Sequence, residues 1–216
     1  MRFGIYIHFP WCRTRCPYCD FAIAVAKKEP PHEEYLAAIL AELDCMAPLY
    51  ADKQLVSIYF GGGTPSLWDP ACITTLIDTA RSRFASQESE LEISMECNPS
   101  DCQPEAFEAW QAAGVNRLLI GVQATNQPDL LTLGRDHSMG DGLSALQRTL
   151  ASGFRSVGAD VILGVPGSPH ALASLRDVAA LRPPHISAYE LTIEERTPLA
   201  AMVKRGDIVP EDEDAL

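Results

Sequence analysis

Residues 3–19 read FGIYIHFPWCRTRCPYC, an apolar run that predicts a β-strand and leads directly into three closely spaced cysteines. Along the rest of the chain, short runs rich in Ile, Val and Tyr alternate with longer segments of helical period. The predicted strands are Phe3–His8, Leu55–Phe60, Leu91–Glu96, Arg117–Gln123, Ser156–Leu163 and His185–Leu191. The predicted helices between them are Glu33–Met46, Pro70–Phe84, Pro104–Ala113, Gly140–Ser152 and Pro169–Leu181. This alternation predicts an α/β fold in which outer helices connect parallel strands.

Six βα units are compatible with three architectures. They are an open barrel section, an incomplete eight-fold barrel and a doubly wound sheet, and periodicity alone does not decide between them. No break in composition and no long Gly/Ser linker divides the chain, so we predict one domain over residues 1–216. The end of the chain, Val203–Leu216, has the character of a connection between elements, and its last six residues contain four carboxylates.

The composition excludes several classes of protein. The chain has 216 residues, 47% of them hydrophobic, which is enough for a packed core and excludes a disordered or collagen-like chain. Its formal net charge of −12 argues against binding to nucleic acid or to an anionic membrane, because both need basic surface. The uncharged stretches are shorter than the ~20 apolar residues of a transmembrane helix.

The cysteines indicate a reducing compartment. There are seven of them, an odd number, and the first strand lacks the features of a signal peptide because His8 and Pro10 interrupt it and no small-residue cleavage site follows. We therefore expect a cytoplasmic protein in which thiols bind metal or pack rather than form disulfides. We expect structural positions for the four cysteines outside the first cluster, which are Cys45, Cys72, Cys97 and Cys102.

The three clustered cysteines, Cys12, Cys16 and Cys19, have the spacing CxxxCxxC. Thiolates at this density bind soft metal centres, either zinc in a closed tetrahedral site or the irons of a cluster. Zinc needs a fourth protein donor, for which His8 and Cys45 are the candidates. A four-iron cluster held by three thiolates instead keeps one iron open to an outside ligand. The spacing favours the cluster, with structural zinc as the alternative.

Glycines and polar side chains occur where the predicted strands end. Gly61-Gly-Gly-Thr64 directly follows the second strand, and glycines there allow a ligand to approach the backbone closely. Glu96 and Gln123 end the third and fourth strands, and Asp160 lies within the fifth. Because the ligand site of a parallel barrel lies at the carboxyl ends of its strands, these residues are expected to converge over the cysteine loop.

In their order along the chain, these motifs resemble radical S-adenosylmethionine (SAM) enzymes of the oxygen-independent coproporphyrinogen III oxidase type. The stretches that carry the resemblance are Tyr6–Cys19, Gly61–Ser66, Glu96–Pro99, Ile120–Gln123, Leu133–Arg135, Asp160–Pro166 and Ile186–Thr192. The resemblance covers essentially the whole chain and implies a radical SAM core domain over residues 1–216, folded as a partial (β/α)6 TIM-like barrel. Chains of this family continue into a C-terminal domain, so we expect this chain to be the N-terminal part of a longer protein.

Phe21 distinguishes two branches of that family. The oxidases have a further cysteine two residues after the third ligand, and here that position is Phe21. The chain is therefore more similar to the haem chaperone branch, which implies haem, haem-acceptor proteins and an electron donor as partners. Two alternatives stay open: a coproporphyrinogen III oxidase, and a non-catalytic binding module stabilised by zinc. Whether the protein is an enzyme is left open, and no catalytic residue is assigned.

The resemblance also implies a set of cofactor contacts. Cys12, Cys16 and Cys19 would ligate three irons of a [4Fe–4S] cluster, and SAM would chelate the fourth. The residues implied to contact SAM are Tyr6, Tyr18, Gly62, Gly63, Thr64, Glu96, Gln123, Arg135 and Asp160. In the oxidase branch, the positions that match Gln123, Arg135 and Asp160 hold a second SAM molecule.

Overall fold

A computed structural model of the chain describes residues 1–87, 90–168 and 172–210. Pro169, with which the last predicted helix begins, and the acidic run at residues 211–214 lie outside the described residues. In chain order the strands are β1 Arg2–Phe9, β2 Trp11–Cys12, β3 Ala24–Val25, β4 Gln54–Gly62, β5 Ala85–Ser86, β6 Glu92–Cys97, β7 Arg117–Gln123, β8 Ser156–Leu163 and β9 His185–Glu190. The α-helices are α1 His32–Met46, α2 Pro70–Arg83, α3 Pro104–Ala112, α4 Gln127–Thr132, α5 Asp141–Ala151, α6 Ala173–Ala180 and α7 Pro198–Arg205.

The order of the strands in the main sheet is β1-β4-β6-β7-β8-β9, and every pair in it is parallel. Each long strand therefore lies next to the following long strand of the chain, while the short β5 also pairs with β4. A doubly wound sheet would reverse direction at a switch point, and this order does not. The fold is a curled section of a (β/α) barrel, as the resemblance implies.

Two faces of the sheet carry different side chains because successive residues of a strand point to opposite sides. Ile58, Phe60 and Met95 are fully buried beneath the outer helices. Helix α2 contributes a stripe of buried residues at helical spacing, which are Cys72, Ile73, Leu76, Ile77 and Ala80. The intervening positions of the strands, such as Tyr59 and Glu96, face the concave side. The pleat of the strands thus places the polar residues inside the curl.

Two helices were absent from the sequence prediction. Helix α4 has only six residues, too few for a visible period, and Asn126 caps it by accepting a hydrogen bond from the backbone N–H of Asp129. Helix α7 begins after Thr197, whose hydroxyl accepts from the N–H of Ala200. The expectation that the chain from Val203 onward is a connection was wrong for residues 203–205, which form the last turn of α7.

The expected core position of Cys45 was also wrong. Cys45 is exposed, whereas Leu43 on the same helix is buried. Two residues along an α-helix correspond to about 200° of rotation, so the two side chains lie on opposite faces. The other three structural cysteines are buried as expected. None of the helices in the described ranges combines the length and the apolar character needed to cross a bilayer.

Candidate metal and cofactor site

A cavity of about 570 Å³ lies over the carboxyl ends of the strands, on the concave side of the sheet. Most of the residues singled out in the sequence line it together: Cys12, Cys16, Tyr18, Cys19, Gly62, Gly63, Thr64, Glu96, Gln123, Arg135 and Asp160. Tyr6 is different, because it does not line this cavity and its side chain is 58% exposed. It stacks on Tyr59 with 6.0 Å between ring centroids, and its hydroxyl lies 3.0 Å from His8 Nδ1.

The cysteine loop is closed by a small sheet of its own. Strands β2 and β3 pair on either side of it, and the N–H of Cys19 donates to the carbonyl of Cys16 at 3.1 Å. Burial raises the pKa of the Cys12 and Cys19 thiols, and repulsion from neighbouring thiols raises both further. The thiols are therefore close enough to oppose each other's ionisation, and a cation between them would stabilise the thiolates.

An ion pair that the sequence did not reveal fixes this loop to the sheet. Arg13 Nη2 lies 2.6 Å from Asp101 Oδ1, and the side chain of Asp101 is only 8% exposed. The hydroxyl of Ser66 donates to the other carboxylate oxygen of Asp101 at 2.6 Å. The cysteine loop, the glycine loop and the segment after β6 are thereby held to one another.

The glycine loop lies against the backbone that leads into Cys12. The N–H of Gly63 donates to the carbonyl of Phe9 at 2.7 Å, and the N–H of Thr64 donates to that of Trp11 at 2.9 Å. A Cβ atom at position 63 would lie 2.7 Å from the Trp11 carbonyl oxygen, a backbone atom that cannot move aside. This close approach requires glycine, and it places the Thr64 hydroxyl in hydrogen-bonding contact with Cys12.

Glu96 is held in one orientation at the concave face. The hydroxyl of Tyr59 donates to Oε1 at 2.7 Å, and the N–H of Gly62 donates to Oε2 at 3.2 Å. Burial raises the pKa of the Glu96 carboxyl, and the two hydrogen bonds offset only part of that effect. A buried carboxylate that is oriented but not neutralised is suited to receive a cationic group of a ligand. Tyr59 was missed in the sequence because it lies in an otherwise apolar strand.

Two buried polar atoms in the cavity lack partners. Among the described residues, neither Asp160 Oδ1 nor Arg135 Nε has a hydrogen-bond partner. Asp160 does interact with Ser187, and burial raises the pKa of its carboxyl. Gln123 ends β7 with a positive φ of 64°, a conformation that is rare for residues other than glycine and is concentrated at functional sites. The unpartnered atoms and the strained backbone at Gln123 raise the free energy of the ligand-free protein, and a bound polar ligand would offset this cost.

Replacing Asp160 by Asn should raise the stability of the ligand-free protein by about 1 kcal/mol at neutral pH, within the range of stabilising substitutions. The folded-state pKa of Asp160 is raised, so its ionised form opposes folding above that pKa. As the pH falls, the carboxyl becomes protonated and this penalty disappears. Thermal unfolding of wild type and D160N from pH 7 to pH 4 should show a difference that shrinks with acidity, and a constant difference would contradict this explanation.

The donor set fits a cluster and SAM better than one metal ion. Cys12, Cys16 and Cys19 line the cavity, whereas Cys45 is exposed on α1. The oriented carboxylate, the unpartnered polar atoms and the glycine cradle match the charged and hydrogen-bonding groups of SAM.

The fold and the site together define a radical SAM protein. The model of the radical SAM superfamily matches residues 6–175, and the chain belongs to this superfamily. Among individual proteins, it is 38% identical to the haem chaperone HemW of Escherichia coli strain K12 over 97% of this chain and 55% of that protein. It is also 38% identical to the haem chaperone HemW of Mycobacterium tuberculosis, over 99% of this chain and 56% of the relative.

The chain spans about half the length of the curated relatives it matches. Of the solved structures, the radical SAM enzyme coproporphyrinogen III oxidase (HemN) of Escherichia coli superposes with a TM-score of 0.82 and 28% identity, over 95% of this chain and 48% of that one. The archaeal Elp3 of Methanocaldococcus infernus superposes with a TM-score of 0.61 at 21% identity, over 85% of this chain and 47% of that one, and shows the fold alone. These comparisons confirm the α/β barrel section and the radical SAM assignment.

Proposed function

We propose that residues 1–216 form the cluster- and SAM-binding core of a haem chaperone that passes haem to acceptor proteins. The observation that carries the proposal is the convergence of three loop cysteines and an oriented carboxylate on one cavity. The relatives named HemW, 38% identical over nearly all of this chain, support the chaperone assignment. Haem and its acceptor proteins are proposed as partners on the basis of that similarity.

Different residues of the site would bind the cluster and SAM. Cys12, Cys16 and Cys19 would ligate three irons, and Glu96 would bind the amino group of SAM. The glycine loop, with Gly62, Gly63 and Thr64, would bind the methionyl part, and the remaining contacts are proposed for Tyr18, Gln123, Arg135 and Asp160. Tyr6 would act from outside the cavity, through its stacking on Tyr59. A cluster held by these residues would supply the one-electron chemistry that can cleave SAM homolytically. The three cysteines are half-buried, which would limit the access of water to such chemistry.

A second candidate function is the oxygen-independent oxidation of coproporphyrinogen III. It is favoured by the structural match to HemN, with a TM-score of 0.82. The side chain of Phe21 weighs against it, since the oxidase branch has a cysteine at this position. Phe21 lines the cavity and is 67% exposed, which suits contact with an apolar ligand rather than with iron. The chaperone is therefore the better-supported function.

The proposal also includes the cellular compartment and the electron donor of the protein. A three-cysteine cluster with an open iron is destroyed by oxidants, so a reducing cytoplasm and a cellular electron donor are expected. The net charge of −12 argues against a nucleic acid partner and is compatible with a protein or a small molecule as the electron donor.

Anaerobic reconstitution with iron and sulfide tests the proposal. We expect one four-iron cluster per chain, binding of SAM, and transfer of haem from the protein to an apo-haemoprotein. Product formation from coproporphyrinogen III with SAM and a reductant would instead establish the oxidase. A colourless protein that holds one zinc ion would contradict both.

A further inference from the structure

Arg135 lies against one of the cluster cysteines, although it is far from it in the sequence. Its Nη1 atom is 3.6 Å from Cys16 Sγ, within the range of a hydrogen bond to sulfur, and its Nη2 donates to the carbonyl of Gly121 at 3.2 Å. The two contacts hold the planar guanidinium between strand β7 and the cysteine loop. A bidentate fork of this kind is a geometry that lysine cannot reproduce.

The turn that carries Arg135 is built to approach the cysteine loop. Gly134 has a positive φ of 60°, and a Cβ atom at that position would clash with Cδ of Pro17, the residue next to Cys16. The carbonyl of Pro17 accepts from the N–H of Leu199 at 2.9 Å, which fixes the loop from the other side. The absence of a side chain at position 134 is thus what allows Arg135 to reach Cys16.

Tyr18 completes the contact. Its ring packs on a small apolar cluster that includes Leu130 and Leu133, just before the Arg135 turn. Its hydroxyl interacts with both Arg135 and Cys16. Two donors, one of them cationic, are therefore directed at the same sulfur atom. Cys12 and Cys19 have other hydrogen-bond partners, namely the hydroxyl of Thr64 and the N–H of Phe21, and the charge of Arg135 acts on Cys12 only at longer range.

We propose that Arg135 is a positioning residue that hydrogen-bonds the Cys16 thiolate and thereby raises the reduction potential of the cluster which this cysteine ligates. The inference rests on the proposed function, since it requires that the cluster bind. Hydrogen bonds to cluster sulfurs and nearby charge set such potentials, and the reduced cluster carries one more negative charge than the oxidised cluster. A half-buried cation next to the cluster therefore favours the reduced form.

A redox titration of the reconstituted protein without SAM tests this role. Dithionite supplies one electron per cluster, taking it from the 2+ to the 1+ state, and electron paramagnetic resonance measures the reduced fraction. For R135Q we expect the ratio of reduced to oxidised cluster at a fixed potential to fall about tenfold, which is 59 mV for a one-electron couple. R135K, which keeps the charge, should recover part of this loss.

Arg15 provides the matched control. It belongs to the cysteine loop, and its charge also acts on the Cys19 thiol, but its side chain is exposed to screening solvent and donates to the carbonyl oxygen of Cys19 at 3.3 Å rather than to a sulfur. R15Q should leave the ratio within a factor of about two of wild type. If R135Q does not fold, Y18F removes the second donor to Cys16 and should shift the ratio in the same direction.

The outcomes separate the two proposals. A wild-type protein that assembles no cluster would refute the proposed function and this role with it. A wild type with a cluster whose potential is the same in R135Q and R15Q would refute only the role of Arg135. A shift seen only after SAM is added would also refute it, because Arg135 would then act through SAM rather than through Cys16.

Discussion

Substitution of alanine for Cys12, Cys16 or Cys19 should abolish assembly of the cluster. Three thiolates are the fewest that hold a four-iron cluster with one open iron, so the loss of one leaves two irons without protein ligands. We expect cluster iron and visible absorption to fall to background in each single variant, in contrast to the graded losses typical of residues that only surround a ligand. Iron and sulfide analysis after anaerobic reconstitution measures this directly.

Cys45 and Cys72 provide controls for the cysteine substitutions. Cys45 is exposed on α1 and Cys72 is buried in α2, and neither lines the cavity. C45A and C72A should therefore retain full cluster content, although C72A removes a buried sulfur and should lower stability by about 1 kcal/mol. Full cluster content in C12A, C16A or C19A would show that the loop is not the binding site.

Replacing Glu96 by Gln should weaken SAM binding roughly 100-fold, equivalent to about 3 kcal/mol. The carboxylate is oriented by Tyr59 and by the N–H of Gly62, and no Lys or Arg of the described residues forms an ion pair with it. The amide keeps the shape and can still accept one of these hydrogen bonds, but it loses the charge that attracts the SAM ammonium group. Isothermal titration of SAM into the reconstituted protein gives the affinity.

The matched variant for E96Q is E108Q. Glu108 is an exposed residue of α3 on the outer side of the sheet, so its loss changes the net charge of the protein equally without changing the cavity. E108Q should bind SAM like wild type, and cluster content should be unchanged in both variants. Equal SAM affinity in E96Q and wild type would remove Glu96 from the site and leave the cluster assignment intact.

The chemistry of the loop and the class of fold were determined by local sequence. The spacing of Cys12, Cys16 and Cys19 is itself a ligand pattern, and it is independent of how the rest of the chain packs. Alternating strand and helix periods specified parallel βα units in the same way, because each period reflects one buried face of one element. Helix α4, however, has only six residues and was too short for its period to be recognised in the sequence.

Only the tertiary structure decided which residues meet. The order of the strands selects a barrel section over a doubly wound sheet, and periodicity within a strand carries no information on its neighbours. Tyr59 reaches Glu96 from another strand, and Arg135 reaches Cys16 across 119 residues of sequence. The sequence by itself predicted a metal-binding cysteine loop, while the packing of distant segments determined the charges and hydrogen bonds around it, because electrostatic interactions depend on distance in space rather than along the chain.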